Sequence, residues 1–290
     1  MIKVIASDMD GTLLGDNHKV APETLKAVQA ACDAGIRFMI ATGRNFQGAM
    51  QELEGLDLTC DYLVGSGAEV RNPDREVISM IPIQKELCEE VYQAVREFPI
   101  SVIFCTDTVD YRVGTTEEIE ESLILQMKLF HLDMKEEEIK ASELYQHVKD
   151  NTKIISSFLE FKNLTVPVYK IFLFSDDLEL LGKVKKKLDT NARIAVSSSF
   201  ESNLEITDVG AQKGPVLKEY IESLGYSMDE VMVFGDSLND YSMISMDFGV
   251  TIAMENAVPE LKQAAGYITK SNEEFGVAYV INELLRKRQH

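Results

Sequence analysis

Two stretches of this chain, one at each end, alternate short apolar runs with longer runs of helical spacing, and that alternation narrows the possible folds more than any other feature. Near the start, "KVIASD" (3–8) reads as a strand, "APETLKAVQAACDAG" (21–35) as a helix with Pro22 near its start and Gly35 after its end, and "IRFMIATGR" (36–44) as a second strand. "NFQGAMQELEGL" (45–56) reads as a second helix and "CDYLVGSGA" (60–68) as a third strand. The alternation resumes with a helix at "AQKGPVLKEYIESLG" (211–225), a strand at "EVMVFGDS" (230–237), a helix start at "NDYSMISM" (239–246) and a strand at "FGVTIA" (248–253). A helix at "AVPELKQAAG" (257–266), a short strand at "YIT" (267–269) and a closing helix at "EFGVAYVINELLRKRQ" (274–289), whose cationic end suits its dipole, complete it. Such β-α-β repetition predicts a parallel sheet covered by helices on both faces, with the two ends of the chain forming halves of one α/β domain.

The middle reads differently. Amphipathic helices at "KELCEEVYQAVREF" (85–98) and "TEEIEESLILQMKLF" (116–130) flank a β-rich stretch, "ISVIFCTDTVDYRVG" (100–114). A second set follows with "ASELYQHVKD", "VPVYKIFLFS" and "DDLELLGKVKKKLD", where Asp176 is a plausible N-cap, and "RIAVSSSF" and "NLEITD" then lead back to the first domain. The expected organisation is a discontinuous domain, 1–82 with 192–290, interrupted by an α+β domain at 83–191. With 290 residues, 45% of them hydrophobic, two modest cores are within reach.

No apolar run approaches the roughly 18–20 residues of a membrane helix, and Asp8 interrupts the N-terminus before a signal-peptide core could form, so a soluble, cytoplasmic protein with no membrane partner is expected. Cys32, Cys60, Cys88 and Cys105 form no C-x-x-C pair and suggest buried or free thiols. A formal net charge of −19 repels polyanions and argues against nucleic acid as a partner. An anionic substrate would then need local positive charge from a metal ion, Lys, Arg or backbone N–H groups.

The first strand ends in "SDMDGT". Residues i and i+2 of a strand share a side, so Asp8 and Asp10 could face one site, tolerable if a divalent cation neutralises them or one holds a proton. Other strands also end in polar groups: Thr42-Gly43-Arg44, Gly65-Ser66-Gly67 and the run from Gly235 to Asp240. In open parallel sheets the ligand crevice lies outside the carboxyl ends of the strands, so these groups should converge. Asp8 and Asp236 are hard oxygen donors suited to Mg²⁺, Thr42 can donate its hydroxyl to a phosphoryl oxygen, and Gly43 lets the backbone come close. Lys213, at a helix start, can supply a point charge that offsets the carboxylates and a phosphoryl group.

"DMDGTLL", "ATGR", "QKG" and "GDSLND" resemble, in order and approximate spacing, the four motifs of the haloacid dehalogenase (HAD) superfamily, and the long insert resembles the type IIB cap of its Cof-type sugar-phosphate phosphatases. The resemblance runs on through "NAVPELKQAAGYITKSNEEFGVA". It implies a Rossmann-like core with an inserted α+β cap whose movement admits substrate. Asp8 would be the nucleophile that forms an aspartyl-phosphate, and Asp10 the acid that protonates the leaving alcohol and then the base that activates water. Thr42 and Lys213 would hold phosphoryl oxygens, with Met9, Gly43, Arg44, Asn239 and Asn272 as further phosphate-site groups. Mg²⁺ would be bound by Asp8, the Asp10 main-chain carbonyl and Asp236, with Asp240 and Asn239 nearby. Arg44 could equally pair with phosphate or with a carboxylate of the core.

Three positions depart from the pattern: Ser66 in place of the common Asn, Leu238 where an acidic residue often stands, and Phe275 where an Asp is usual. They predict altered site edges or cap docking, with the chemistry retained. His18, His131, His147 and His290 fall near no motif and suggest no ligand cluster. The expected activity is Mg²⁺-dependent hydrolysis of small phosphomonoesters, sugar phosphates by default, by a monomer or homodimer. A phosphomutase and a non-catalytic phosphosugar-binding regulator are the rival readings.

Overall fold

The computed structural model describes residues 1–130 and 134–288, and the chain divides into two units, one of Met1–Ile81 with Gly210–His290 and one of Pro82–Val209. No helix among the described residues is long and apolar enough to cross a membrane. In the first unit the chain forms β1 (Val4–Ser7), α1 (Pro22–Asp33), β2 (Arg37–Ala41), α2 (Phe46–Glu52), β3 (Asp61–Val64) and a hairpin of β4 (Glu69–Arg71) and β5 (Val77–Met80). The second unit runs through α3 (Lys85–Val95), β6 (Ser101–Thr106), β7 (Asp110–Val113), α4 (Thr116–Phe130), α5 (Glu136–Ala141) and α6 (Glu143–Asp150). It continues with β8 (Thr152–Ile155), α7 (Phe158–Lys162), β9 (Val168–Phe174), α8 (Leu178–Leu188), β10 (Ile194–Ser197) and β11 (Asn203–Asp208). The first unit then resumes with α9 (Lys213–Ser223), β12 (Val231–Gly235), α10 (Tyr241–Ile244), β13 (Val250–Ala253), α11 (Pro259–Ala264), β14 (Tyr267–Ile268) and α12 (Gly276–Arg288).

The sheet of the first unit has the order β14-β13-β12-β1-β2-β3-β4-β5, parallel from β14 to β3 and antiparallel in the β4 and β5 edge. Every residue of β1, β3 and β12 is buried, which is why these strands read as continuous apolar runs and not as an alternation. Connections leave β1 toward β2 on one side, while β12 flanks it on the other, so β1 lies at a topological switch point and its carboxyl end opens onto the crevice where such sheets bind ligands.

In the second unit the sheet order is β10-β11-β9-β6-β7-β8, with α3, α7 and α8 packing their apolar faces on Phe104, Ile171, Leu173, Leu204 and Ile206. This unit extends to Val209, beyond the expected boundary at 191. The reason is pairing: β10 and β11 are antiparallel neighbours (Ile194↔Asp208), and β11 adds to β9 (Leu204↔Leu173), so "RIAVS" and "NLEITD" complete the second sheet before the chain returns. The N-cap of α8 is Asp177, not Asp176; its side chain accepts from the Leu180 N–H at 2.9 Å.

The amino ends of β2 and β3 are tied by a buried polar cluster that the sequence pattern did not announce. Asp61, fully buried, accepts from Arg37 Nε at 2.5 Å and Nη2 at 2.7 Å, and from the Tyr220 hydroxyl of α9 at 2.6 Å. Asp61→Ala would leave the Arg37 charge and the Tyr220 hydroxyl without their acceptor, and the expected loss is about 3 kcal/mol. Urea unfolding followed by circular dichroism should show a lower midpoint with an unchanged slope.

Candidate active site

Strand register brings the polar ends together. Ser7 is paired with Phe234 of β12 and with Ile40 of β2, so Asp8, Asp236 and Thr42 leave the carboxyl ends of adjacent strands. The Asp8 N–H continues the ladder by donating to the Phe234 carbonyl at 3.1 Å. After Asp8 the backbone kinks, with Gly11 at φ 73°; a Cβ there would lie 2.5 Å from Asp236 Oδ2, so this position requires glycine on both counts.

Lys213, the first residue of α9, is fully buried and donates to Asp8 Oδ1 and to Asp240 Oδ1, both at 2.6 Å. Asp240 is also fully buried, and its other oxygen accepts from the Asp236 and Ser237 N–H groups at 3.0 and 3.2 Å. It thereby holds the lysine and shapes the loop that presents Asp236. The Asp236 carboxylate accepts from the Thr12 hydroxyl and the Ser237 hydroxyl, each at 2.9 Å. Ligand oxygens of Asp8, Asp236 and Asp240 lie within 4.8 Å of one another.

Three carboxylates and one ammonium therefore share a buried site. Burial raises the Asp8 carboxyl well above the usual carboxylate range, the Asp240 carboxylate pushes the same way, and the Lys213 ammonium opposes them. Asp236 rises to about 6, through burial first and Asp240 second, against the hydrogen bonds from Ser237 and Thr12. Burial alone would lower Lys213, but Asp240 and Asp8 outweigh it and hold the ammonium well above its ordinary value. Lys213 can balance one carboxylate when all three are ionised, and the surplus of two negative charges on hard oxygens is what a divalent cation neutralises.

Asp10 lies in a different environment. Arg44 grips both its oxygens, Nε to Oδ2 at 2.9 Å and Nη2 to Oδ1 at 2.8 Å, and donates from Nη1 to Glu52 at 2.6 Å. Of the two partners open to Arg44, the structure thus gives it carboxylates. His18, set aside on sequence grounds, has Nδ1 3.7 Å from Asp10 Oδ1, because a short hairpin closed by the Leu14↔Val20 bridge turns the chain back on itself. Burial pushes the Asp10 carboxyl up, but Arg44 and then His18 more than offset it and leave it far below the usual carboxylate range. His147 is on α6, where its ring contacts the Asn151 side chain at 3.3 Å, and His131 and His290 lie outside the described residues.

The remaining candidates divide. Thr42 is fully buried, and its hydroxyl oxygen accepts from the Arg44 N–H at 3.2 Å, which leaves its own O–H as a donor. Gly43, beside it, is half-buried. Asn239 Oδ1 is buried with no hydrogen-bond partner among the described residues, as expected of a group that meets a ligand. The Met9 side chain is buried in the core, so only its main chain could reach a substrate. Asn272 spends its side-chain N–H groups on the Leu14 carbonyl and Asp16 Oδ1, and its N–H donates to Asn256, which in turn donates to the Gly11 carbonyl. It braces the loop after β1. Ser66 has φ 61° in a loop whose next residue, Gly67, lies against the backbone of Gln212, so this departure falls where Thr42 and Lys213 are held. Leu238 opens the turn before Asp240, and Phe275, with φ 58°, precedes α12.

With the parallel sheet, the switch-point crevice and the acid–lysine cluster in place, the chain matches a model of the haloacid dehalogenase-like hydrolase family over residues 5–281. The chain belongs to that family, and it is a phosphoric monoester hydrolase. It is 29% identical over 297 residues, 98% of each chain, to YwtE, a 5-amino-6-(5-phospho-D-ribitylamino)uracil phosphatase of Bacillus subtilis (strain 168). Among solved structures, a haloacid dehalogenase-like hydrolase from B. subtilis superposes with a TM-score of 0.84 at 27% identity, over 98% of this chain and 100% of that one. A HAD subclass IIB sugar phosphatase shares the fold, with a TM-score of 0.74 at 23% identity over 97% and 98% of the two chains.

The position of Lys213 depends on the residue after it. A Cβ on Gly214 would lie 1.9 Å from the Ser242 carbonyl oxygen of α10, so α9 can approach this closely only with glycine there. Gly214→Ala should force α9 and its lysine outward, costing about 3 kcal/mol and most of the turnover. Thermal unfolding and phosphate release, measured on the same preparation, check both.

Proposed function

We propose that this chain is a Mg²⁺-dependent phosphatase that hydrolyses small phosphomonoesters, sugar phosphates or related polyol phosphates, through an aspartyl-phosphate on Asp8. The observation that carries this reading is the buried surplus of negative charge at Asp8, Asp236 and Asp240 around a single lysine. A divalent cation fits that donor set, with Asp8, Asp236 and the Asp10 main-chain carbonyl as its holders and Asp240 beside them. When bound it would supply Lewis-acid polarisation of the phosphoryl oxygens and screen the approach of one anion to another.

An Asp8 carboxylate oxygen attacks phosphorus. As that bond forms, the ester P–O bond breaks, and its electron pair stays on the ester oxygen, which takes a proton from Asp10 and leaves as the alcohol. Water then attacks the same phosphorus. Asp10, now a carboxylate, takes the water proton, and the electron pair of the breaking bond returns to Asp8 as inorganic phosphate departs. Thr42 donates its hydroxyl to a phosphoryl oxygen, and Lys213 holds the nucleophile in place while offsetting its charge. The Arg44 grip favours the carboxylate form of Asp10, the form the second step uses; in the first step Asp10 carries the proton for the ester oxygen while Arg44 fixes the direction of its carboxyl.

The test is phosphate release across a panel of phosphomonoesters that includes sugar phosphates and 5-amino-6-(5-phospho-D-ribitylamino)uracil, the compound named for the Bacillus relative. Turnover should require Mg²⁺, stop with chelator, and fall by about three orders of magnitude or more in Asp8→Asn. An isomerised sugar phosphate with little free phosphate would instead mark a phosphomutase.

Metal binding should also depend on pH, because ligand carboxyls must be ionised. With Asp236 pushed up to about 6, protons compete with the metal below that value. The rise in melting temperature on adding Mg²⁺ should be large at neutral pH and shrink steadily as the pH falls through 6; a rise independent of pH would place the ion elsewhere.

A further inference from the structure

Asp10 has backbone angles of φ −73° and ψ 125° within the kinked turn, and it is side chains from elsewhere that direct its carboxylate. Arg44 supplies one contact, with two parallel N–H donors. Arginine has many rotamers of its own, so this grip is only as firm as whatever fixes the guanidinium. Glu52 does that. It is the last residue of α2, its Oε1 accepts from Arg44 Nη1 at 2.6 Å, and its side chain is only 26% exposed. The start of the same helix follows Arg44 directly and is capped by Asn45, whose Oδ1 accepts from the Gly48 N–H at 2.8 Å. Arg44 is thus held by its backbone at one end of α2 and by its guanidinium at the other.

His18 approaches the same carboxylate from the hairpin after β1. Its φ of 57° is a left-handed conformation that costs an ordinary residue about 1 kcal/mol or more. The Gly15 N–H to Lys19 carbonyl bond at 3.0 Å and the His18 N–H to Gly15 carbonyl bond at 2.9 Å hold the turn in that shape, and its result is the imidazole beside Asp10 Oδ1.

We propose that Glu52 and His18 are positioning residues for Asp10: Glu52 fixes Arg44, and Arg44 and His18 together aim the Asp10 carboxyl at the ester oxygen. The proposal rests on the reading of Asp10 as proton donor and acceptor. Glu52 does not touch Asp10, and His18 meets it only at the edge of the carboxylate, so each acts through Asp10. Their loss should weaken proton delivery and leave nucleophilic attack by Asp8 nearly intact.

Leaving-group chemistry separates the two. Para-nitrophenolate departs without a proton, whereas phenolate, on a ring of nearly the same shape, departs more readily with one. The experiment is single-turnover formation of phosphoryl-enzyme by rapid quench, with Mg²⁺ present, using phenyl phosphate and para-nitrophenyl phosphate. In Glu52→Ala and in His18→Asn the phenyl ester should react about tenfold more slowly and the nitrophenyl ester within about twofold of wild type. Glu52→Gln, which keeps an acceptor for Arg44, should recover most of the loss. Asn accepts a left-handed backbone, so His18→Asn removes the imidazole without refolding the turn and carries the test alone should Glu52→Ala fail to fold. Equal slowing of both esters, or none, overturns the proposal while leaving the Asp8 mechanism standing. A wild-type protein that accepts phosphoryl from neither ester overturns that mechanism, and the proposal with it.

Discussion

The buried ammonium of Lys213 is the contact on which the site depends. It stands between Asp8 and Asp240 with no exposure to solvent, at 2.6 Å from each. Taking a charge of this kind out of water costs several kcal/mol, which is recovered only because two carboxylates meet it in good geometry. The lysine is also the wrong residue for its place by helix electrostatics. It opens α9, where the macrodipole disfavours a cation, and Gln212 before it provides no side-chain cap. Asp8 and Asp240 supply the compensation. They therefore set where α9 begins, so the carboxyl end of β1, the turn after β12 and the start of α9 are positioned by one another.

Close approach at this junction is possible because glycine occurs where a side chain would strike a carboxylate of the cluster or the backbone that supports it. A Cβ on Gly11 would meet Asp236, one on Gly235 would lie 2.6 Å from the Asp240 side chain, and one on Gly67 would lie 2.8 Å from the Gln212 backbone. The glycines of these motifs are the space into which the carboxylates and the lysine-bearing helix fit. A loop of this kind is defined as much by what its backbone omits as by what its side chains offer.

Asp8, Asp236, Asp240 and Lys213 were legible in the sequence because each follows a strand or opens a helix whose apolar pattern is unambiguous, and a parallel sheet gathers strand ends by construction. Arg44 was legible as a residue of interest, but its partner was not, since Asp10 and Glu52 compete with phosphate for the same five N–H donors and only geometry decides. His18 gave no signal: it reaches Asp10 by a chain reversal of a few residues held by backbone bonds, and periodicity carries no record of such turns. Asp61 carries no signal in the sequence, because its partner Tyr220 is far away along the chain and only the fold brings the two together. The strands at Ile194–Ser197 and Asn203–Asp208 were legible as strands, yet a strand's own pattern does not say which sheet it joins.

Asp8 and Asp10 stand two residues apart on one turn and are driven in opposite directions. Asp8 is buried among carboxylates that oppose its ionisation unless positive charge is brought to it; Asp10 is paired with a guanidinium that enforces ionisation. The kink at Gly11 belongs to the turn that separates these environments, since an unbroken strand would place both carboxyls on one face and in one field. One carboxylate set against a buried lysine and another held by its own arginine can then be adjusted independently. The two carboxylates of "DMD" need not be alike in chemistry to be neighbours in sequence, because the elements that surround them, α9 on one side and Arg44 with α2 on the other, come from different parts of the fold.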